Sequence, residues 1–341
     1  MSDRHFHPRD FQFQQSSDIA RLTPRDVAIL LSLYDHRVLL TEHVKALFFS
    51  SLRRAQDSLK QLRALGLVSS WCPPQERGKG RAPGHHMLTE KGVHAVAVLK
   101  GCARSELRWT PPENPAKAPA PYLAHRVGIN AFFCALVEAA LLVDGHGLAI
   151  WTPERTVKTL DGWIRPDGFG RLIHPSGSCD FYFEYDRGTE STAQLADKLA
   201  GYMGVARDWT ERGPEHFPNL LILCPDARRE RGLAVAFRDA RARFSAARKL
   251  QRLPFFVASE EMLCDRGVLG RIWTALPRLA ERLSVVELPC QTGLDHPPSS
   301  CLGRYWRERR DDHWARLHPL SRPPRFPAGR PPTDRRPRGR P

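Results

Sequence analysis

SLRRAQDSLKQLRALG, residues 51–66, is the run from which the N-terminal third of the chain is read. Ser50 or Ser51 can cap a helix and Gly66 is a usual left-handed stop, so a helix is expected from about Leu52 to Leu65. Leu52, Ala55, Leu59, Leu62 and Leu65 form one stripe at helical spacing, while Arg53, Arg54, Gln56, Lys60, Gln61 and Arg63 occupy the remaining surface. One face can pack and the other is polar and basic.

Upstream, Thr23-Pro24-Arg25-Asp26 opens a helix with an N-cap, a proline at the first position and an acid in the first turn. Val27, Leu30, Leu31 and Tyr34 give that helix its apolar side, and Thr41-Glu42 starts a second, short one through Phe48. Downstream, LVSSW (67–71) and HHMLT (85–89) read as strands joined by the Gly-rich, basic segment PPQERGKGRAPG (73–84). Thr89-Glu90-Lys91-Gly92 then opens a fourth helix to about Leu99. This order of three helices, hairpin and helix resembles the winged helix-turn-helix class. The resemblance implies double-stranded DNA as the partner, because a helix fits the major groove, Arg and Lys neutralise phosphates, and Arg or Gln can read base edges. Arg53, Arg54, Gln56, Lys60 and Arg63 are the expected helix contacts, and Arg77, Lys79 and Arg81 those of the wing loop. Winged helices also dock proteins, and charges on a helix are often merely solvated.

Overall charge weighs toward DNA: 52 Lys plus Arg stand against 37 Asp plus Glu, a formal +15, with a pI near 9.9. No basic segment has the bulky apolar face of a membrane-surface helix, and no window approaches eighteen uninterrupted apolar residues. The start, MSDRHFHPRD, has no signal-type apolar core, so a cytoplasmic protein without a membrane partner is expected. Eight cysteines lie far apart without a CxxC pair, which points to reduced core thiols. Cys290, His296 and Cys301 are spaced too irregularly to suggest zinc.

At 341 residues the chain can hold two domains. A lead over 1–21 precedes the winged-helix domain at 22–108, and WTPPENPAKAPAP (109–121) reads as an extended, semi-rigid connector. The second domain, 122–285, begins with an apolar helix from Tyr122 to Val143 carrying Phe132, Phe133, Leu136, Val137 and Leu141. Strands follow at 148–158, 163–173 and 179–186, then a helix at 190–209, a strand at 219–224, a basic helix at 229–250 and a strand at 255–259. The αβββαβαβ order calls for a mixed sheet with helices on its faces. Residues 286–341 end in SRPPRFPAGRPPTDRRPRGRP, an Arg- and Pro-rich tail expected to be disordered.

Three acids fall at neighbouring strand positions: Asp167, Glu184 and Asp186. Strand alternation puts Glu184 and Asp186 on one face, and pairing can bring Asp167 beside them. Carboxylates crowded in this way repel and call for a cation, and Mg²⁺ or Mn²⁺ is expected there. Glu138 and Glu154 are further candidate ligands, and His125-Arg126 can reach phosphate near the site. Surface ion pairing among Asp186, Arg187 and Glu190 is the plainer alternative. Glu184, however, sits among Phe181, Phe183 and Tyr185, where a carboxylate is costly without a partner.

The Pro166-Asp167 pair, Glu184 and the element order resemble the PD-(D/E)XK, restriction-endonuclease-like fold. The runs RPDGFGRL (165–172), FYFEYDRGTE (181–190) and KLAGY (198–202), behind a winged helix, are similar to the replication-relaxation family of plasmids and mobile elements. That resemblance implies a role in plasmid replication and DNA relaxation, as a metal-dependent nickase with other replication or mobilisation proteins as partners, or as a non-enzymatic DNA-binding factor with a degenerate nuclease domain. It makes Asp167 and Glu184 the metal-holding acids. Asp186 then stands where the nuclease pattern has a lysine, and Lys198 is the candidate substitute, on a helical row with Glu190, Gln194 and Tyr202. No GxSxG, P-loop, HExxH or dinucleotide glycine signature occurs.

Overall fold

The computed structural model describes residues 19–73, 82–157, 164–212, 217–243 and 253–289. Helices α1 (Pro24–His36), α2 (Thr41–Phe48) and α3 (Leu52–Ala64) precede the hairpin of β2 (Val68–Trp71) and β3 (His85–Leu88), and α4 (Glu90–Lys100) follows. A two-residue strand, β1 (Leu39–Leu40), which the sequence pattern did not signal, adds to β3 and gives an antiparallel sheet in the order β1-β3-β2. Thr23 and Asp26 close a reciprocal capping box on α1, and the Ser51 hydroxyl accepts from the Arg54 N–H at the start of α3. α3 buries Ala55, Leu59 and Leu62. Leu52, 41% exposed, and half-buried Leu65 drop out of the expected stripe because the helix ends run past the core. The expected wing contacts Arg77, Lys79 and Arg81 lie outside the described residues.

In the second unit α5 (Ala120–Leu141) leads into β4 (Gly147–Pro153), β5 (Gly168–His174) and β6 (Gly177–Tyr185). There follow α6 (Thr192–Arg212), β7 (Asn219–Cys224), α7 (Ala227–Arg243) and β8 (Phe255–Ser259), in the order read from the sequence. Three further elements were not anticipated: α8 (Glu260–Arg266), β9 (Trp273–Ala275) and β10 (Arg282–Leu283). The mixed sheet thus has seven strands in the order β10-β9-β8-β7-β6-β5-β4, parallel from β6 to β8 and antiparallel elsewhere. Packing also continues beyond Val286, where the tail was expected to begin, since Leu288 is buried; residues 290–341 lie outside the described residues.

β6 separates two cores. Phe181 and Phe183 face α5, where Phe132 stacks on Phe183 at 4.1 Å, and Tyr182 joins the core under α6 and α7. Gly128 lets α5 approach β6 closely: a Cβ there would lie 2.1 Å from the Tyr185 ring.

The segment 109–121 does not space the units apart. It contains a 3-10 turn at Pro115–Lys117 with Pro115 buried, and the Arg37 guanidinium lies 4.1 Å from the Trp109 ring centre. One buried cluster runs from Ile29 and Leu33 of α1 through Leu47 of α2 to Phe132 and Phe133 of α5 and Trp151 of β4. The Asn130 amide donates to the carbonyls of Val38 (2.6 Å) and His36 (3.3 Å), and the His36 ring stacks on Trp151 at 3.6 Å. Burial holds the His36 imidazole well below its ordinary pKa. Lys45 pairs with Glu138 across the same boundary, and Arg155 with Asp35 at 2.5 Å. By length and composition α5 could cross a bilayer, but half of that apolar window is buried inside the protein.

Candidate functional site

β6 is an interior strand of the sheet, and the chain leaves it through Asp186 and a left-handed Gly188 (φ +74) toward α6. Gly168 pairs with Phe183, so Asp167, one residue upstream, stands beside the end of β6. The expected proximity of Asp167 and Glu184 is therefore met, by strand register. Asp167 Oδ2 accepts the Tyr185 N–H at 2.9 Å, and Oδ1 lies 2.9 Å from His125 Nε2 on α5. Burial alone would raise the Asp167 pKa; the His125 contact and the amide outweigh it and hold the group below its ordinary value.

Glu184 faces α6. Its Oε2 accepts from Lys198 Nζ at 2.7 Å and its Oε1 from the Tyr202 hydroxyl at 2.5 Å. Lys198 and Tyr202 reach the same carboxylate because they lie one turn apart on α6. Of the expected row, Glu190 lies before α6 begins, and Gln194 folds back to accept the Ser191 N–H. Burial pushes Glu184 up to about 7 against the pull of Lys198. Burial also opposes the Lys198 charge, but Glu184 prevails and the ammonium is held above its ordinary pKa.

Asp186 departs from the expected cluster. It is on the same side of the sheet as Glu184, yet it is turned to the start of α7, where Arg229 grips it in bidentate fashion at 2.5 and 2.9 Å and the Gly188 N–H donates at 2.9 Å. Each acid consequently has its own basic partner: His125 for Asp167, Lys198 for Glu184, Arg229 for Asp186. All six carboxylate oxygens accept an internal hydrogen bond. Among the described residues no three His, Cys, Asp or Glu side chains converge as a metal-ligand group. As arranged, this donor set does not fit the expected Mg²⁺ or Mn²⁺: an ion would have to displace an internal hydrogen-bonded basic partner to gain each ligand. Glu138 and Glu154 are likewise engaged, with Lys45 and Arg126.

In front of Asp167 lies a cleft of about 380 Å³ lined by Tyr122, His125, Arg187, Glu190 and Lys198, among others. His125 and Lys198 are about one-third exposed into solvent there, so the cleft presents the basic halves of the pairs while Glu184 stays buried behind them. Arg126, expected beside His125 at phosphate, is turned to Glu154 instead. The pairing role of Arg229 could not be read from the sequence, since it depends on how α7 docks on the end of β6. The only sign of it was an arginine soon after the apolar run 219–224.

On the first unit, Arg53, Arg54, Gln56, Lys60 and Arg63 are all exposed on α3. Arg53 meets Asp57 at 3.2 Å, an exposed pair of little strength. Gln56, Lys60 and Arg63 border a depression of about 630 Å³ between α3 and the hairpin. A family model described as replication-relaxation matches residues 30–220, more than half of the chain. No curated protein and no solved structure matches it.

Proposed function

Because the chain belongs to the replication-relaxation family, with a role in replication and DNA relaxation, we propose that it serves a plasmid or integrated mobile element as a duplex-DNA-binding factor. In this reading the first unit is a winged helix that lays α3 in the major groove. The second is a PD-(D/E)XK-like scaffold that holds DNA without cutting it. The observation that carries the binding half is the division of α3: three buried apolar residues on one side, and Arg53, Arg54, Gln56, Lys60 and Arg63 in solvent on the other. Such a face neutralises phosphates and offers Arg and Gln to base edges. The non-cutting half rests on the one-to-one pairing of Asp167, Glu184 and Asp186 with His125, Lys198 and Arg229. The cations that line the cleft, half-buried Arg187 and exposed Lys198, then serve to hold a backbone phosphate.

The test is fluorescence anisotropy with a labelled duplex in low salt. The triple variant Arg53→Gln, Arg54→Gln, Lys60→Gln is expected to bind at least tenfold more weakly while melting at the wild-type temperature, since these side chains support no core. Unchanged affinity would remove α3 as the docking helix.

A further inference from the structure

The outer side of α7 carries an arginine row that neither the family nor the acid cluster explains. Arg228, Arg231 and Arg238 are exposed, and their spacing of three and seven residues keeps them on one face with exposed Val235 between them, while Arg241, also exposed, lies further round the helix at its C-terminal end. The opposite side of α7 is core: Leu233, Ala236, Phe237 and Ala240 are buried, which fixes Arg228, Arg231 and Arg238 outward. Among the described residues no acid pairs with Arg228, Arg231 or Arg241, and Arg238 makes only one long contact, 3.5 Å, to the Pro277 carbonyl. This placement is unfavourable for the isolated chain. Arginines three residues apart repel, and Arg228 sits in the first turn, where the helix dipole disfavours positive charge. Arg229, its neighbour, is the residue that clamps Asp186 at the edge of the cleft, so the row starts at the cleft and runs away from it for about 20 Å, at 1.5 Å per residue.

We propose that this face of α7 is a second DNA-binding surface, a track for the phosphates of a duplex whose backbone enters the cleft. It rests on the reading of the protein as a DNA-binding factor and adds a surface to it. A row of exposed arginines that pair with no acid among the described residues, with exposed Asp239 the acid beside it on α7, matches a polyanion, and the repulsion within the row is relieved when phosphates bind.

Each phosphate contact contributes about 0.9 to the slope of log affinity against log salt concentration. The variant with Arg228, Arg231, Arg238 and Arg241 all changed to Gln, which preserves helix propensity, is compared with a control losing four charges elsewhere (Arg108, Lys117, Arg266 and Arg271 to Gln). The probe is a labelled duplex of about 30 base pairs and the full-length protein. The α7 variant is expected to bind more than tenfold more weakly at low salt, with a slope shallower by about 3 to 4, while the control stays near wild type. An α7 variant with the slope of the wild type, or a control that loses as much, would overturn the track while leaving α3 docking intact. A wild-type protein that binds no duplex at all would sink both readings.

Discussion

Glu184 is a carboxylate 3% exposed in the middle of an aromatic strand, and its state depends on pH in a defined direction. Its pKa is pushed up to about 7, above the ordinary carboxylate value, so it favours the folded state in acid, and that contribution fades as pH rises from about 4.5 through about 7. Buried His36, His43 and His86, all lowered by burial, work oppositely over an overlapping range, so the informative quantity is a difference. In urea unfolding, the stability of the wild type relative to Glu184→Gln is expected to fall by up to ~3 kcal/mol between pH 5 and 8. A difference independent of pH would mean that the carboxylate is not held in this way. Arg229→Met should cost about 3 kcal/mol, because it leaves Asp186, 8% exposed, without its cation; adding Asp186→Asn should restore most of the loss. At this scale Asp167, Glu184 and Lys198 were legible, since strand alternation and the four-residue helix repeat place side chains directly. The partner of Asp186 was not, because docking of α7 on β6 is a tertiary event with no local period.

Among elements, those with several turns or several alternations were readable: α3, α5, β6 and β7 are all where their patterns put them, within a few residues. β1, β9 and β10 were not, since strands of two or three residues carry no period and owe their conformation to the neighbours they pair with. α5 is the element on which the site depends most, because it presents His125 to Asp167 while its Gly128 touches Tyr185. Gly128→Ala places a methyl carbon 2.1 Å from that ring, so the ring or the helix must shift. A loss of about 1 to 3 kcal/mol is expected on thermal or urea unfolding. Wild-type stability would show that the helix can slide without disturbing β6.

At the scale of the whole molecule, the sequence suggested two cores joined by a Pro-rich connector, whereas the structure has one apolar cluster running from α1 to β4. Composition identifies a linker but not what its flanking units do to each other. The contacts that join them, Asn130 to the His36 and Val38 carbonyls and His36 on Trp151, link residues some hundred positions apart. Calorimetry of the wild type should accordingly show one transition, and two resolved transitions would contradict a shared core. The shared core also sets the position of the α3 face relative to the cleft and the α7 row, so that on the proposed reading DNA held by one is presented to the others at a set distance. The decisive measurement is incubation of supercoiled plasmid with the wild type, Asp167→Ala and Glu184→Ala in Mg²⁺ or Mn²⁺, with binding and plasmid topology read from the same samples. Retarded but fully supercoiled plasmid with the wild type is the predicted result. Relaxed or nicked plasmid with the wild type, absent with both variants, would show that the paired acids open to a metal and that the protein cuts.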